Sequence, residues 1–87
     1  MPLVILDLEA TCWDEATQPE LRAMQRELSE VIEIGALEVD PATHEVLREF
    51  QAFVRPVRHP ELTPFCLRLT GITQDQVLAA EPYTAAW

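Results

Sequence analysis

Apolar and polar positions fall along the chain in blocks of changing period. Leu3, Val4, Ile5 and Leu6 form an almost continuous apolar run with β-branched members, which predicts a buried strand over residues 3–9. Residues 14–30 are polar, yet after Pro19 the residues Leu21, Met24 and Leu28 recur at i, i+3 and i+7. That spacing predicts a short amphipathic helix with Pro19 at its first position. A second β-branched run covers residues 31–39, and Asp40, Pro41, Ala42 and Thr43 supply turn chemistry before a third run over residues 45–54. The two runs predict an antiparallel hairpin.

Proline and threonine punctuate the rest. Pro56 and Pro60 bracket a loop, and Thr63-Pro64 pairs an N-cap with proline at the first position of a helix over residues 64–69, which Gly71 ends. Thr73 and Gln76 have the spacing of a capping box and start a further helix through Ala80. Pro82 opens one more, which reaches only its first turn by Trp87. Such a turn is not stable alone in water, so the pattern is that of a fragment or half of a larger domain.

Composition narrows the class. With 87 residues, 48% apolar and 24% charged, the chain has the balance of a small globular unit. A domain of this size buries only about 60–65% of its unfolded surface and is marginal without a staple or partner. Cys12 and Cys66 lack both C-x-x-C spacing and the density of a disulfide scaffold, so reduced thiols and a cytoplasmic location are expected. The opening apolar run is too short for a signal peptide or a bilayer span, and no membrane association is expected. Fifteen acidic against six basic residues, a net charge of −9, argue against a passive polyanion binder. Nucleic acid could be engaged only with cations mediating.

The candidate chemistry sits at the end of the first strand. Asp7 and Glu9, at i and i+2, project from one face about 6–7 Å apart along the backbone. Paired hard-oxygen donors invite Mg²⁺ or Mn²⁺ rather than zinc, and carboxylate-held metal pairs are the usual device for in-line attack on a phosphodiester. By itself the pair is a weak signal and better fits a simpler role, one acid capping the next turn and the other solvated.

Four blocks stand in order: residues 5–13 with Asp7-Leu8-Glu9-Ala10-Thr11-Cys12, residues 30–37, residues 50–56, and Leu69-Thr70-Gly71-Ile72-Thr73-Gln74. Together they resemble the DEDDh 3′→5′ exonucleases, in particular the subgroup that trims histone mRNA and small RNAs. The resemblance spans essentially the whole chain but only the first half of the family's domain. It implies an α/β, ribonuclease H-like fold, present as its first half: a three-stranded antiparallel sheet with flanking helices, followed in the family by two parallel strands. It implies two-metal-ion hydrolysis releasing nucleoside monophosphates from single-stranded 3′ ends, RNA favoured over DNA, with two Mg²⁺ or Mn²⁺ ions in the complete domain. Asp7 and Glu9 then match the first two catalytic, metal-ligating carboxylates. The main chain at Ala10 and Thr11 matches the segment contacting the terminal nucleotide, with Trp13 nearby. Leu69, Thr70, Gly71 and Ile72 match the wedge beside the terminal base.

The family's remaining two aspartates and its general-base histidine have no match here, and His44 and His59 occur too early to serve. Two ions carry +4 against the −2 of Asp7 and Glu9, so this chain alone is expected to be inactive. A non-catalytic binding or assembly module is the first alternative, and an unrelated α+β interaction domain the second. Strand one would be an exposed edge, to be covered by a homodimer or by the missing C-terminal half. Simpler readings accompany the other residues: Leu69 and Ile72 as helix-end core residues, Gly71 as an ordinary C′ glycine, Cys12 as a small buried hydrophobe, Trp13 and Trp87 as packing residues, His44 and His59 as exposed loop residues. Arg55 and Arg58 read as surface arginines, and Glu33 either bonds near the site or marks an edge.

Overall fold

The computed structural model describes residues 2–82. Three strands, β1 (Leu3–Ala10), β2 (Val31–Val39) and β3 (Val46–Phe53), form one antiparallel sheet in the order β1-β2-β3. The predicted strands are thus all present, with ends within one residue of expectation. Between β1 and β2, a 3₁₀ turn at Pro19–Leu21 leads into α1 (Arg22–Leu28). Pro19 does occupy the first position, and Leu21, Met24 and Leu28 are the half-buried residues of that helix together with Gln25. After the sheet come α2 (Pro64–Thr70) and α3 (Gln74–Leu78), the latter ending two residues before the expected Ala80. The helix expected from Pro82 onward lies outside the described residues.

Local chemistry sets these boundaries. Thr63 accepts the Cys66 amide at 3.0 Å as the α2 N-cap. At the next start Thr73 and Gln76 form the reciprocal capping box, each side chain accepting the other's backbone N–H. Gly71 closes α2 at φ 74°, a left-handed conformation that costs a side-chain-bearing residue energy, and its amide donates to Leu67. A Cβ on Gly71 would meet nothing within 4 Å, so Gly71→Ala is expected to cost only the conformational strain, about 1 kcal/mol, read from urea denaturation.

The core is off-centre. Cys12, Ile32, Leu62, Cys66, Ile72 and Val77 form one cluster at the end of the sheet where β1 finishes and β2 begins. Ile32 and Ile34 alternate onto the same face of β2 and are almost fully buried, whereas most large apolar residues farther along the sheet stay open to solvent. The Cα radius of gyration is 15.1 Å, against about 12 Å for a compact chain of this length, because the far end of the sheet extends beyond the core. Among the described residues β1 is an edge, as expected, but it is not the buried strand its apolar run predicts: Leu3, Val4, Ile5, Leu6 and Leu8 are each more than half exposed, because the core lies only at the C-terminal end of the strand.

Candidate catalytic face

The strand register assembles the site. Asp7 lies opposite Gly35 and Glu9 opposite Glu33 across β1 and β2, and Gly35 in turn faces Gln51 on β3. Facing residues of an antiparallel pair share a side of the sheet, so Asp7, Glu9, Glu33 and Gln51 project together, opposite the buried Ile32 and Ile34. Asp7 is exposed and Glu9 half-buried. Because Gly35 carries no side chain, an open depression of about 450 Å³ lies beside Asp7, lined also by Ile5, Leu37, Glu49 and Gln51.

Glu33 sits on the central strand, which decides between its two sequence readings: it does not mark an edge. Directly opposite Glu9 it would place two like charges face to face, an unfavourable pair. Gln51 donates Nε2–H to Glu33 Oε2 at 2.7 Å, holding that carboxylate on the β3 side. Asp7 and Glu9 suit a hard cation in donor chemistry and in access. Among the described residues no three His, Cys, Asp or Glu side chains gather into a metal-binding group, so the pair amounts to part of a ligand set.

The segment leaving β1 is pinned at every residue. The Ala10 carbonyl faces the Cys66 thiol at 3.7 Å, and the Cys12 carbonyl accepts the Thr63 hydroxyl at 2.8 Å. Thr11 and Glu30 bond twice: Thr11 N–H donates to the Glu30 carbonyl at 2.8 Å, and Glu30 N–H donates to Thr11 Oγ1 at 2.9 Å. Trp13 N–H donates to Gln25 Oε1 at 2.7 Å. Thr63 therefore serves both as helix cap and as anchor for this segment.

The remaining site expectations separate. Leu69 is 66% exposed at the end of α2, whereas Ile72 is 4% exposed and belongs to the core. Ile72 thus supports the Leu69-Thr70-Gly71 turn from within instead of presenting its own side chain. Thr70 Oγ1 donates to the Cys66 carbonyl at 2.8 Å and accepts the Ile72 amide at 3.1 Å, fixing the same turn. Trp13 is buried, as the packing reading expects. His59, expected in solvent, is instead half-buried with its ring edge-on to Trp13 at 5.3 Å between centroids. Its loop folds back because Glu30 draws it in. His44 stays exposed in the hairpin turn, at φ 63°.

Two titratable groups are perturbed for clear reasons. Burial, reinforced by the neighbouring Cys66 thiol and by the Glu9 charge, pushes the Cys12 thiol up to about 12, so it is a neutral packing group and no nucleophile. For Glu30, burial alone would raise the carboxyl. The amides of Val57, Arg58 and His59, with the Arg58 charge, outweigh it and hold Glu30 below its usual 4.5. A depressed carboxylate contributes stability above its unfolded value and loses it as pH falls through its folded one. Glu30→Gln is therefore expected to lower stability by about 1 kcal/mol at pH 7, a charge-assisted bond discounted for partial exposure. In thermal melts the gap from wild type should close as pH drops below 4; a gap constant with pH would remove the charge from the explanation.

Sequence reasoning singled out Asp7, Glu9 and Thr63, which the fold places at this end of the sheet, and did not single out Glu30, Gln25 and Gln51. Glu30 carries no periodic signal, and its partners lie 27 to 29 residues away.

Comparison with known proteins places this arrangement. A family model described as Exonuclease (RNase_T) matches residues 4–87. ERI1 exoribonuclease 2 of Homo sapiens is 39% identical over 75 residues, 86% of this chain and 10% of that protein. Among solved structures, the nuclease domain of 3′hExo, described as a DEDDh family member bound to rAMP, is similar with a TM-score of 0.81 and 37% identity. The match covers 97% of this chain and 38% of that one. A 3′-exonuclease described as recognising the 3′ end of a histone mRNA stem-loop gives a TM-score of 0.82 at 37% identity, over 97% of this chain and 34% of its own. The chain thus spans well under half the length of each of these proteins. With the family model matched over nearly the whole of this chain, and the sheet and helices shared with DEDDh nucleases, the chain belongs to the exonuclease family.

Proposed function

We infer that the chain is the N-terminal half of a metal-dependent 3′→5′ exonuclease domain that removes nucleoside monophosphates from single-stranded ends, RNA in preference to DNA. The observation that carries this reading is the pair Asp7 and Glu9, on one open sheet face at the edge strand of a chain belonging to the exonuclease family. The RNA preference rests on relatives named as an exoribonuclease and as a histone mRNA 3′-exonuclease.

Asp7 and Glu9 would hold Mg²⁺ or Mn²⁺, and a bound divalent ion supplies charge stabilisation for phosphodiester hydrolysis. The pinned main chain at Ala10 and Thr11 positions the terminal nucleotide, and exposed Leu69 with the Thr70-Gly71 turn packs beside its base. Trp13 lies beneath this segment as support. Two carboxylates carry −2 against the +4 of an ion pair, so the chain alone binds an ion weakly and does not turn over. The outer side of β1 is then covered by the remainder of the domain or by a second copy. Two free buried thiols suit a reducing compartment such as the cytoplasm.

The test is Mn²⁺ titration of the chain by NMR beside an assay on 3′-labelled single-stranded RNA. Paramagnetic broadening centred on Asp7 and Glu9, without cleavage, is the expected result. Broadening elsewhere would remove the metal assignment.

A further inference from the structure

Glu30 stands outside the catalytic pair yet makes five hydrogen bonds, two through its main chain to Thr11 and three through its carboxylate to the amides of residues 57–59. The carboxylate is shared between both oxygens: Oε2 accepts Val57 N–H at 2.9 Å, and Oε1 accepts Arg58 and His59 N–H at 2.8 and 3.2 Å. Consecutive amides converging on one anion form a cradle that a neutral side chain fills only in part. The loop so held carries His59, whose ring packs T-shaped against that of Trp13, and Trp13 belongs to the same segment as Thr11. A closed circuit results: Glu30 to Thr11 through the backbone, Glu30 to His59 through the carboxylate, His59 to Trp13 through ring contact.

We propose that the Glu30 carboxylate is a positioning group of the nucleotide-contacting segment: it holds the 57–59 loop and so sets His59 against Trp13, while the main chain of the same residue holds Thr11. The proposal deepens the exonuclease reading, on which its functional part rests. Glu30 contributes no ligand to the cation. It sets the backbone against which a nucleoside monophosphate seats, so its loss affects nucleotide binding and leaves cation binding in place. A residue serving stability alone would affect neither selectively.

The test uses the 87-residue chain as wild type, Glu30→Gln and His59→Ala, with ¹⁵N NMR and titrations of Mn²⁺ alone and of 5′-AMP in the presence of Mn²⁺. In Glu30→Gln the amides of residues 57–59 and the Trp13 indole signal are expected to move, 5′-AMP binding to weaken at least fivefold, and Mn²⁺ affinity to stay within twofold. His59→Ala, which leaves every Glu30 bond to the main chain possible, moves the Trp13 indole from the far end of the same circuit and keeps the proposal testable if Glu30→Gln unfolds. An unchanged Trp13 signal in a folded Glu30→Gln chain, or an unmoved Trp13 in His59→Ala, overturns it. Equal losses of Mn²⁺ and 5′-AMP binding also overturn it, because they reduce Glu30 to general stability. If Mn²⁺ broadens neither Asp7 nor Glu9 in wild type, the exonuclease reading fails, and the positioning claim is decided by the Trp13 signal in the two variants.

Discussion

Asp7→Asn is expected to abolish Mn²⁺ broadening at the β1 carboxylates and, in a longer protein carrying this chain, to lower 3′→5′ cleavage by more than about a hundredfold. Loss of outer partners of a metal already costs about 10–100-fold, and a direct ligand carries more. Asparagine keeps the shape and one oxygen but removes the charge that pairs with the cation. Because Asp7 is exposed and faces the small Gly35, the exchange leaves packing untouched, and stability should stay within about 0.5 kcal/mol. Metal titration by NMR, cleavage of labelled RNA and a thermal melt read all three quantities. Full Mn²⁺ affinity in Asp7→Asn would overturn the metal assignment.

Ile32→Ala is expected to unfold the chain or nearly so. Ile32 is fully buried in the cluster that joins β2 to α2 and α3, and its carbonyl accepts the Val54 amide at 2.8 Å. Truncating a buried isoleucine costs about 2–5 kcal/mol, while a core of this size rarely supplies more than about 3–5 kcal/mol. Ile32→Val removes one methylene and should cost about 1 kcal/mol while keeping the fold. Urea denaturation followed by circular dichroism separates the two; a cooperative, wild-type-like transition in Ile32→Ala would mean that the core lies elsewhere.

What could be read from the sequence was what local chemistry decides. The β-branched runs, Pro19, the Thr63 cap, the Thr73–Gln76 box and Gly71 each act within a few residues, and each appears where expected. Asp7 and Glu9 were legible because a strand's period places them on one face. The Glu30 circuit was not, since its bonds run between segments that meet only after the sheet has formed. Ile72 stood between a core and a wedge reading for a related reason: a residue beside a turn can face out or in, and only the position of the Cys66 and Val77 side chains puts it inside. His59 is brought out of solvent by a carboxylate 29 residues earlier, which no pattern of the loop itself records.

The open side of β1 bears on more than association. The unpaired backbone edge, the exposed row from Leu3 to Leu8, and the carboxylates of Asp7 and Glu9 belong to one strand. Any element that pairs with this edge excludes water from the acids, which worsens their mutual repulsion and strengthens their attraction for a cation in the lower dielectric. Cation and covering element therefore favour each other, and thermodynamic reciprocity makes the factor the same in both directions. A protein built on this strand would hold its ion more tightly in proportion as its edge is closed, and would close its edge more firmly in proportion as the ion is present.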